Sequence, residues 1–296
     1  MVMTKEIYAD MERNKVEFYN DNEFILGFDH FADQVDSEIQ NELVSELMAR
    51  YAELSKQLDE KNVQLKRYSE NLEELVEEKV KEISASQMAT IHALVKAAES
   101  RGDDTGTHIE RTSLFCKIIA DDLRETGKYT DLVDKAYADN VSKASPLHDI
   151  GKVGIKDEIL LKPGRLTPEE FEIMKTHVDI GYETLQKAFS TYPGNIYLQY
   201  GTEIAKYHHE KWDGSGYMQK LAGEDIPLSA RIMALSDVYD ALRSRRVYKE
   251  PFSHEKTYGI IIEGKGTHFD PAIVDVFITN HNKFKEVYDS LSGSQV

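Results

Sequence analysis

The sequence predicts an all-α protein, and three observations support that fold class. All 7 prolines lie at or beyond Pro146, and Gly27 is the only glycine among the first 90 residues, so this stretch has few helix breakers. Beyond Met88, runs rich in Ala and Leu alternate with short clusters of Gly, Pro and Asp, the punctuation typical of helices. No segment shows the alternating pattern of a half-buried strand.

The first 90 residues predict a long acidic helix. Residues 1–40 lack a clear pattern and form an N-terminal segment of unclear role, whereas 41–87 predicts a coiled-coil segment. Its apolar or aromatic side chains follow alternating steps of four and three, with Lys61 filling one seam position. They are Leu47, Tyr51, Leu54, Leu58, Leu65, Tyr68, Leu72 and Leu75. We expect a parallel homodimer here; the alternative is a single solvated helix.

The remaining residues, 88–296, predict one helical domain. The sequence TPEE at 167–170 is a helix start with proline in the first turn, and Ser229, Ser253 and Asp270 mark further starts. Helices are expected at 88–100, 105–126, 131–148, 168–188, 202–209, 229–245, 253–263 and 271–290.

Composition narrows the functional classes. No apolar run reaches the roughly 18–20 residues of a membrane span, and the N-terminus lacks a secretory segment, so we expect a cytoplasmic protein without membrane contact. The single cysteine, Cys116, excludes an intrachain disulfide. The net charge of −17 argues against binding to bulk nucleic acid, because affinity for phosphate backbones comes from clustered Lys and Arg.

The segment SPLHDIGK at 145–152 points to metal chemistry. Adjacent His148 and Asp149 can hold two cations, the imidazole on one and the carboxylate bridging both. A lone His-Asp pair is usually structural, so further ligands are needed. They are present as His108, His177, the pair His208 and His209, and Asp237. Histidines on separate helices of a bundle can converge on its interior.

These residues stand in blocks that resemble the HD-GYP family of bacterial HD phosphohydrolases, whose members hydrolyse cyclic di-GMP. The most specific block is HHEKWDGSGY at 208–217, and HDIGK at 148–152 supplies the HD part. Further matches are DTGTHIER at 104–111, IPLSARI at 226–232 leading to Asp237, and GKGTHFDP at 264–271. The resemblance covers about residues 88–285 and implies an HD-type helical bundle.

The resemblance also implies a centre of two or three divalent metals, iron or manganese. The implied ligands are His108, His148, Asp149, His177, His208, His209 and Asp237. Asp104, one helical turn before His108, is the candidate ligand for a third ion, and helix N-capping is its alternative role. Glu99 and Asp103 are other candidates for that position.

The implied reaction is hydrolysis of a cyclic dinucleotide, cyclic di-GMP first, to the linear dinucleotide or GMP by metal-activated hydroxide. Asp149 would orient the hydroxide, and Lys152 would neutralise a phosphate oxygen unless it pairs with a nearby carboxylate. Substrate contacts are expected from Arg111, Gly216, Tyr217 and Arg246. The alternative for Arg111 is a surface ion pair. For Gly216 and Tyr217 it is ordinary turn packing, and for Arg246 a solvated face.

One departure from the family signature concerns specificity. Met218 stands where the signature has proline, and this change can alter which dinucleotide fits. Cyclic GMP-AMP is therefore an alternative substrate. A different HD phosphohydrolase, or a non-catalytic receptor that signals through its helices, are the competing functions. Relatives often carry a sensor or receiver domain before such a helix. Residues 1–87 show no receiver-like alternation of strands and helices, so the input could be lost, truncated or supplied by a partner protein.

Overall fold

The computed structural model describes residues 37–99, 107–126, 128–129, 131–245 and 250–292. The expected all-α class is confirmed, because the described residues contain helices and no strand, only an isolated bridge between Lys265 and Phe269. The α-helices are α1 (Ser37–Glu99), α2 (His108–Thr126), α3 (Lys135–Ala144), α4 (Asp157–Leu160), α5 (Pro168–Lys175), α6 (His177–Thr191), α7 (Ile196–Tyr207), α8 (Leu228–Arg243), α9 (His254–Glu263) and α10 (Pro271–Ser292). Two 3-10 segments, Ser145–Gly154 and Gly223–Asp225, separate some of them.

Helix α1 is 63 residues long. It contains no Gly or Pro, and exposed ion pairs one turn apart, such as Lys79 with Glu82 at 2.6 Å, support it. The described part of the chain divides into two units between Glu82 and Ile83. Within the described ranges, no helix combines the length and apolar character that a bilayer crossing requires.

The main core of the second unit lies between α2, α8 and α10. Phe115 of α2 stacks on Phe284 of α10 with ring centroids 4.6 Å apart, and Tyr239 of α8 packs edge-on against both rings. All three are fully buried. Burial of such aromatic side chains contributes about 2–3 kcal/mol each. It fixes α2, which carries His108, and α8, which carries Asp237, against α10.

A smaller apolar cluster supports the HD segment. It joins the C-terminal end of α1 to α2, α6, α7 and the first 3-10 segment. Its buried members are Val95, Ile109, Leu147, Leu185 and Ala205. Ile109 and Leu147 are the immediate neighbours of His108 and His148, so this cluster holds the backbone of two histidines.

Close approach of backbones sets the position of the first 3-10 segment. A Cβ at Gly151 would overlap the carbonyl oxygen of His177 and would lie 2.5 Å from the backbone nitrogen of Gly181. Only glycine permits this contact. The segment that carries His148 and Asp149 is thereby held directly against the start of α6.

Three of the differences between the expected and the observed helices have a local reason. The single helix expected at 168–188 breaks at Thr176, whose N–H bonds to Ile173 in a 3-10 turn. The helix expected at 131–148 ends at Ala144, because Pro146 lies in the first turn of the 3-10 segment that begins at Ser145. The helix expected at 202–209 starts earlier, at Ile196, where the Asn195 side chain caps Leu198 N–H.

Candidate metal centre

The structure brings together all seven described candidate ligands. His108 and His177 are the first residues of α2 and α6, and Asp237 lies within α8. His148 and Asp149 belong to the first 3-10 segment, and His208 and His209 follow the last residue of α7. Five separate elements therefore deliver one side chain or one adjacent pair each, as metal centres in helical bundles do.

The first group, called here the Asp149 cluster, consists of Asp149, His177, His208 and His209. One ligand atom from each lies within 4.8 Å of the others. The Nε2 atoms of His177 and His208 lie 3.2 and 3.8 Å from Asp149 Oδ1. The His208 and His209 rings lie side by side, with centroids 4.0 Å apart. Three imidazoles and a carboxylate form a donor set suited to a divalent transition metal.

The second group, called here the Asp237 cluster, consists of His108, His148 and Asp237, again with ligand atoms within 4.8 Å of one another. The Nε2 atoms of His108 and His148 lie 3.4 Å apart. Asp237 Oδ1 lies 3.8 Å from the first and 3.9 Å from the second. These spacings leave room for one cation between the three donors.

The Asp149 carboxylate joins the two groups. Its Oδ1 faces His177 and His208, whereas its Oδ2 lies 3.2 Å from His148 Nε2. The two oxygens of one carboxylate thus point to different clusters, which is the arrangement of a bridging ligand.

The histidine rings are oriented for metal binding by hydrogen bonds at Nδ1. His148, His177 and His208 donate from Nδ1 to the carbonyl oxygens of Ser145, Met174 and Ile204 at 2.7 to 2.9 Å. His108 Nδ1 lies 2.8 Å from Asp240 Oδ2. Such bonds at Nδ1 leave Nε2 as the nitrogen that faces the candidate metal position, as in most histidine metal ligands.

Unpartnered buried atoms support the fit to a metal. His177 Nε2, His208 Nε2 and Asp149 Oδ1 are buried without a hydrogen-bond partner, although buried polar atoms are normally satisfied. All three belong to the Asp149 cluster. A cation at this point would satisfy them together.

The protonation states suit ligation. Burial, together with the charge of His148, lowers the pKa of His208 to about 3, and burial also lowers that of His209 well below its usual value. Burial raises the pKa of Asp149, but Lys152 and His148 outweigh it and hold the pKa well below the usual range. Neutral imidazoles at His208 and His209 beside an ionised Asp149 are the forms that bind metals. Burial lowers the pKa of His148, but the neighbouring Asp149 and Asp237 outweigh burial and raise it above its usual value.

A buried carboxylate that the sequence analysis missed holds His108. Asp240 is 1% exposed and accepts hydrogen bonds from Arg111 Nε at 2.5 Å and Nη2 at 2.8 Å, besides its contact with His108 Nδ1. Burial raises the pKa of Asp240, but the bonds from Arg111 and His108 lower it further than burial raises it. Asp240 follows Asp237 by three residues, so helical spacing alone placed it on the same face.

Arg111 has a role in the structure besides the phosphate contact that the sequence suggested. It is 2% exposed, and its guanidinium also donates to Thr107 and to Ser244 at 3.1 Å. With Asp240 as its charge partner, Arg111 is part of the framework behind His108. The ion pair is buried, unlike the surface pair that the sequence analysis gave as the alternative, and a phosphate contact by Arg111 stays a prediction.

The loop after His209 closes one side of the centre. Tyr217 stacks on the His209 ring at 4.7 Å, and burial together with the charges of Asp149 and Asp237 raises the pKa of its hydroxyl. Gly216 is buried, and a Cβ there would lie 2.5–2.7 Å from the backbone of 209–211. Gly216 therefore packs against the segment that carries His209, and its contact with a substrate stays a prediction. Glu210, also missed by the sequence analysis, accepts from Gln219 N at 2.7 Å and Lys220 N at 3.2 Å, and so fixes this loop.

Lys152 lies at the edge of the centre. Its Nζ pairs with Asp149 Oδ2, the alternative left open by the sequence, and its side chain is 37% exposed. Asp104, Arg246 and the alternative ligand Asp103 lie outside the described residues, as does the side chain of Glu99.

Comparison with known proteins gives consistent matches. The HD domain family model matches residues 42–273. A probable cyclic di-GMP phosphodiesterase of Vibrio cholerae is 48% identical over 215 residues, which is 72% of this chain and 49% of that protein. A 3'3'-cGAMP-specific phosphodiesterase 2 of the same species is 40% identical over 201 residues, 68% of this chain and 36% of that protein.

A cyclic di-GMP phosphodiesterase response regulator, RpfG, of Xanthomonas campestris is 35% identical over 247 residues, 83% of this chain and 62% of that protein. The chain spans less than two thirds of the length of each of these relatives. The matched region contains every described candidate ligand. The chain belongs to the HD domain family, in its HD-GYP branch.

Proposed function

We propose that the protein is a metal-dependent phosphodiesterase that hydrolyses a cyclic dinucleotide, with cyclic di-GMP as the first candidate. The observation that carries this proposal is the pair of clusters joined by Asp149, with the unpartnered Nε2 atoms of His177 and His208 within the Asp149 cluster. Relatives that match about two thirds or more of this chain bear the names of phosphodiesterases for cyclic di-GMP or 3'3'-cGAMP.

Two divalent ions, iron or manganese, would be held by the Asp149 and Asp237 clusters. Bound there, they would supply Lewis-acid activation of water and neutralise charge on the phosphate oxygens. Imidazole-rich donors with two carboxylates suit both metals. A third ion near Asp104 remains an expectation from the sequence.

The chain's own residues contribute positioning and charge. Asp149 is ionised, so it can accept a hydrogen bond from the attacking water and direct its lone pair. Lys152 is near enough to Asp149 to pair with it and exposed enough to turn toward an incoming phosphate. Tyr217 keeps its proton because its pKa is raised, so its hydroxyl is a hydrogen-bond donor at the rim.

Cyclic GMP-AMP is the second candidate substrate. Met218 occupies the proline position of the family signature, directly after Tyr217 at the rim of the centre. The relatives include phosphodiesterases named for each dinucleotide. A receptor that binds without turnover is the remaining alternative, and Lys152 beside an intact ligand set favours an enzyme over it.

A turnover experiment tests this function. Protein prepared anaerobically with iron or manganese is incubated with cyclic di-GMP and with cyclic GMP-AMP, beside Asp149→Ala and the surface control Glu224→Ala. We expect hydrolysis by the wild type and the control and none by Asp149→Ala. Fully metallated wild-type protein that leaves both substrates intact would contradict an enzymatic function, and tight binding without turnover would favour the receptor.

We also propose that α1 pairs with α1 of a second copy as a parallel coiled coil. The eight apolar seam side chains named above are 36–72% exposed in the single chain. In the heptad repeat, the e and g positions beside this seam between residues 48 and 76 carry no Asp or Glu. The acidic side chains of this stretch therefore lie at the outer positions b, c and f. Two acidic helices can then meet without like charges opposed across the seam.

Solution mass tests the pairing. Light scattering across micromolar concentrations should give a dimer, and Leu58→Glu together with Leu65→Glu should give a monomer that retains its metals. A wild-type monomer throughout that range would contradict the proposal. The input signal, from a sensor or receiver partner, would act through this helix.

A further inference from the structure

Phe171 is an aromatic side chain left in solvent. It lies in α5 and is 45% exposed, and it is the one exposed phenylalanine of the described part of the chain. Phenylalanine is normally among the most buried residue types. The helix that presents it is firmly set, because Thr167 and Glu170 form a capping box and Lys162 pairs with Glu170 at 2.5 Å.

A row of three rings, Phe171, Tyr217 and His209, connects Phe171 to the candidate metal centre and is called here the aromatic wall. The Phe171 ring meets the Tyr217 ring edge-on, with centroids 6.0 Å apart at 78°. Tyr217 in turn stacks on His209, a member of the Asp149 cluster. Rings therefore follow one another from a partly buried candidate ligand, through a partly buried tyrosine, to an exposed phenylalanine.

A cation lies against the same wall. Lys175 follows Phe171 by one helical turn, and its Nζ lies 5.4 Å from the Phe171 ring centroid and 5.6 Å from that of Tyr217. Its side chain is only 17% exposed. Its ion-pair partner, Glu172 at 2.6 Å, is 70% exposed, and an ion pair of this kind is readily exchanged for another acceptor.

We propose that Phe171 and Lys175 form a subsite for a purine base of the substrate, an inference that rests on the proposed function. The base stacks on the exposed Phe171 ring, and Lys175 Nζ donates to acceptor atoms on the base edge. Stacking on aromatic rings is available to every base. A nucleotide joins its phosphate to its base through one sugar, so a phosphate at the centre brings the base to the adjoining wall.

The lysine gives the subsite a preference for guanine. Guanine presents two adjacent acceptors, O6 and N7, whereas adenine presents N7 beside the N6 amino donor. An ammonium group donates hydrogen bonds and accepts none. Cyclic di-GMP should therefore bind better than cyclic di-AMP, and a mixed dinucleotide should place its guanine here.

The test compares KM and kcat for cyclic di-GMP in Phe171→Ala and in the matched control Ile173→Ala. Ile173 lies on the same helix and is 46% exposed, but two positions along it points away from Phe171. Phe171→Ala should raise KM by about tenfold or more, the effect of losing one base–aromatic stack. The control should stay within about twofold. Phe171→Trp should restore KM, because it restores the ring.

Further arms separate substrate binding from damage to the centre. Phe171→Ala should affect cyclic di-GMP far more than bis(4-nitrophenyl) phosphate, which carries no purine. Lys175→Met should reduce the preference for cyclic di-GMP over cyclic di-AMP while metal content and unfolding midpoint remain those of the wild type. Equal losses with both phosphodiesters, or an unchanged KM in Phe171→Ala, would overturn the subsite.

Failure of the proposed function gives a different pattern. If the wild type binds cyclic di-GMP without hydrolysing it, the dissociation constants of the same variants, measured by calorimetry, give the same comparison. If the wild type hydrolyses cyclic di-GMP and Phe171→Ala has the same KM as the wild type, the subsite alone is overturned. Metallated wild-type protein that neither binds nor hydrolyses it overturns both.

Discussion

Replacement of Asp240 by leucine tests how the chain fixes His108. The carboxylate is 1% exposed and serves Arg111 and His108 together. Asp240→Leu leaves the Arg111 guanidinium, 2% exposed, without its charge partner. Removing one partner of a buried ion pair costs about 3–5 kcal/mol of unfolding free energy. His108 also loses its Nδ1 acceptor, and loss of such a partner weakens metal affinity about 10- to 100-fold.

A second variant separates these two effects. Arg111→Met with Asp240→Leu removes both charges, so no unpaired ion remains buried, while His108 still lacks its acceptor. Urea unfolding should show that the double variant regains most of the lost stability. Metal titration should show that both variants bind more weakly than the wild type, with Ser244→Ala close to wild type. Wild-type metal affinity in both variants, or a double variant no more stable than the single one, would refute the reasoning.

Three further perturbations follow from the structure. Gly151→Ala should lower the unfolding free energy in urea by about 3 kcal/mol, because its Cβ would overlap His177 O. The control Gly164→Ala has open space around it and should change the unfolding free energy by no more than about 0.5 kcal/mol. Chelation of metal present at about 1,000 times its Kd should remove about 4 kcal/mol and lower the calorimetric Tm by roughly 8–16 °C. Burial, with the charge of Lys211, lowers the pKa of His268 to about 4. Between pH 6.5 and 4 the unfolded chain therefore binds more protons at this residue than the folded chain does. The unfolding free energy accordingly falls as the pH falls through that window. His268→Gln should reduce this loss by about 1–2 kcal/mol after allowance for solvent screening, measured as unfolding free energy against pH.

The convergence of the candidate ligands was predictable because these residues occur in spaced blocks. His148 and Asp149 alone left metal binding open, and the pair His208 and His209 within its block added the family pattern. Helical periodicity placed each histidine on or at the end of a helix. The order of those blocks therefore anticipated which side chains converge, although no distance between them could be derived.

Other features depend on tertiary contacts that sequence patterns do not contain. Arg111 is a charged residue near a helix start, where exposure is the ordinary expectation, and only its buried contact with Asp240 shows otherwise. The helix break at Thr176, between α5 and α6, has no proline or glycine at this position from which it could be predicted. It follows from packing of the HD segment against α6, where Gly151 meets His177.

The most direct test of this account is the rate of cyclic di-GMP hydrolysis measured against the number of divalent ions bound per chain. Metal-free protein is titrated anaerobically with iron or manganese, and bound metal and linear product are determined in the same samples. Because Asp149 joins two clusters, we predict little hydrolysis with the first equivalent, a steep rise as the second binds, and none at any loading in Asp149→Ala. Full hydrolysis by metal-free protein, or none by protein with both clusters filled, would contradict the account.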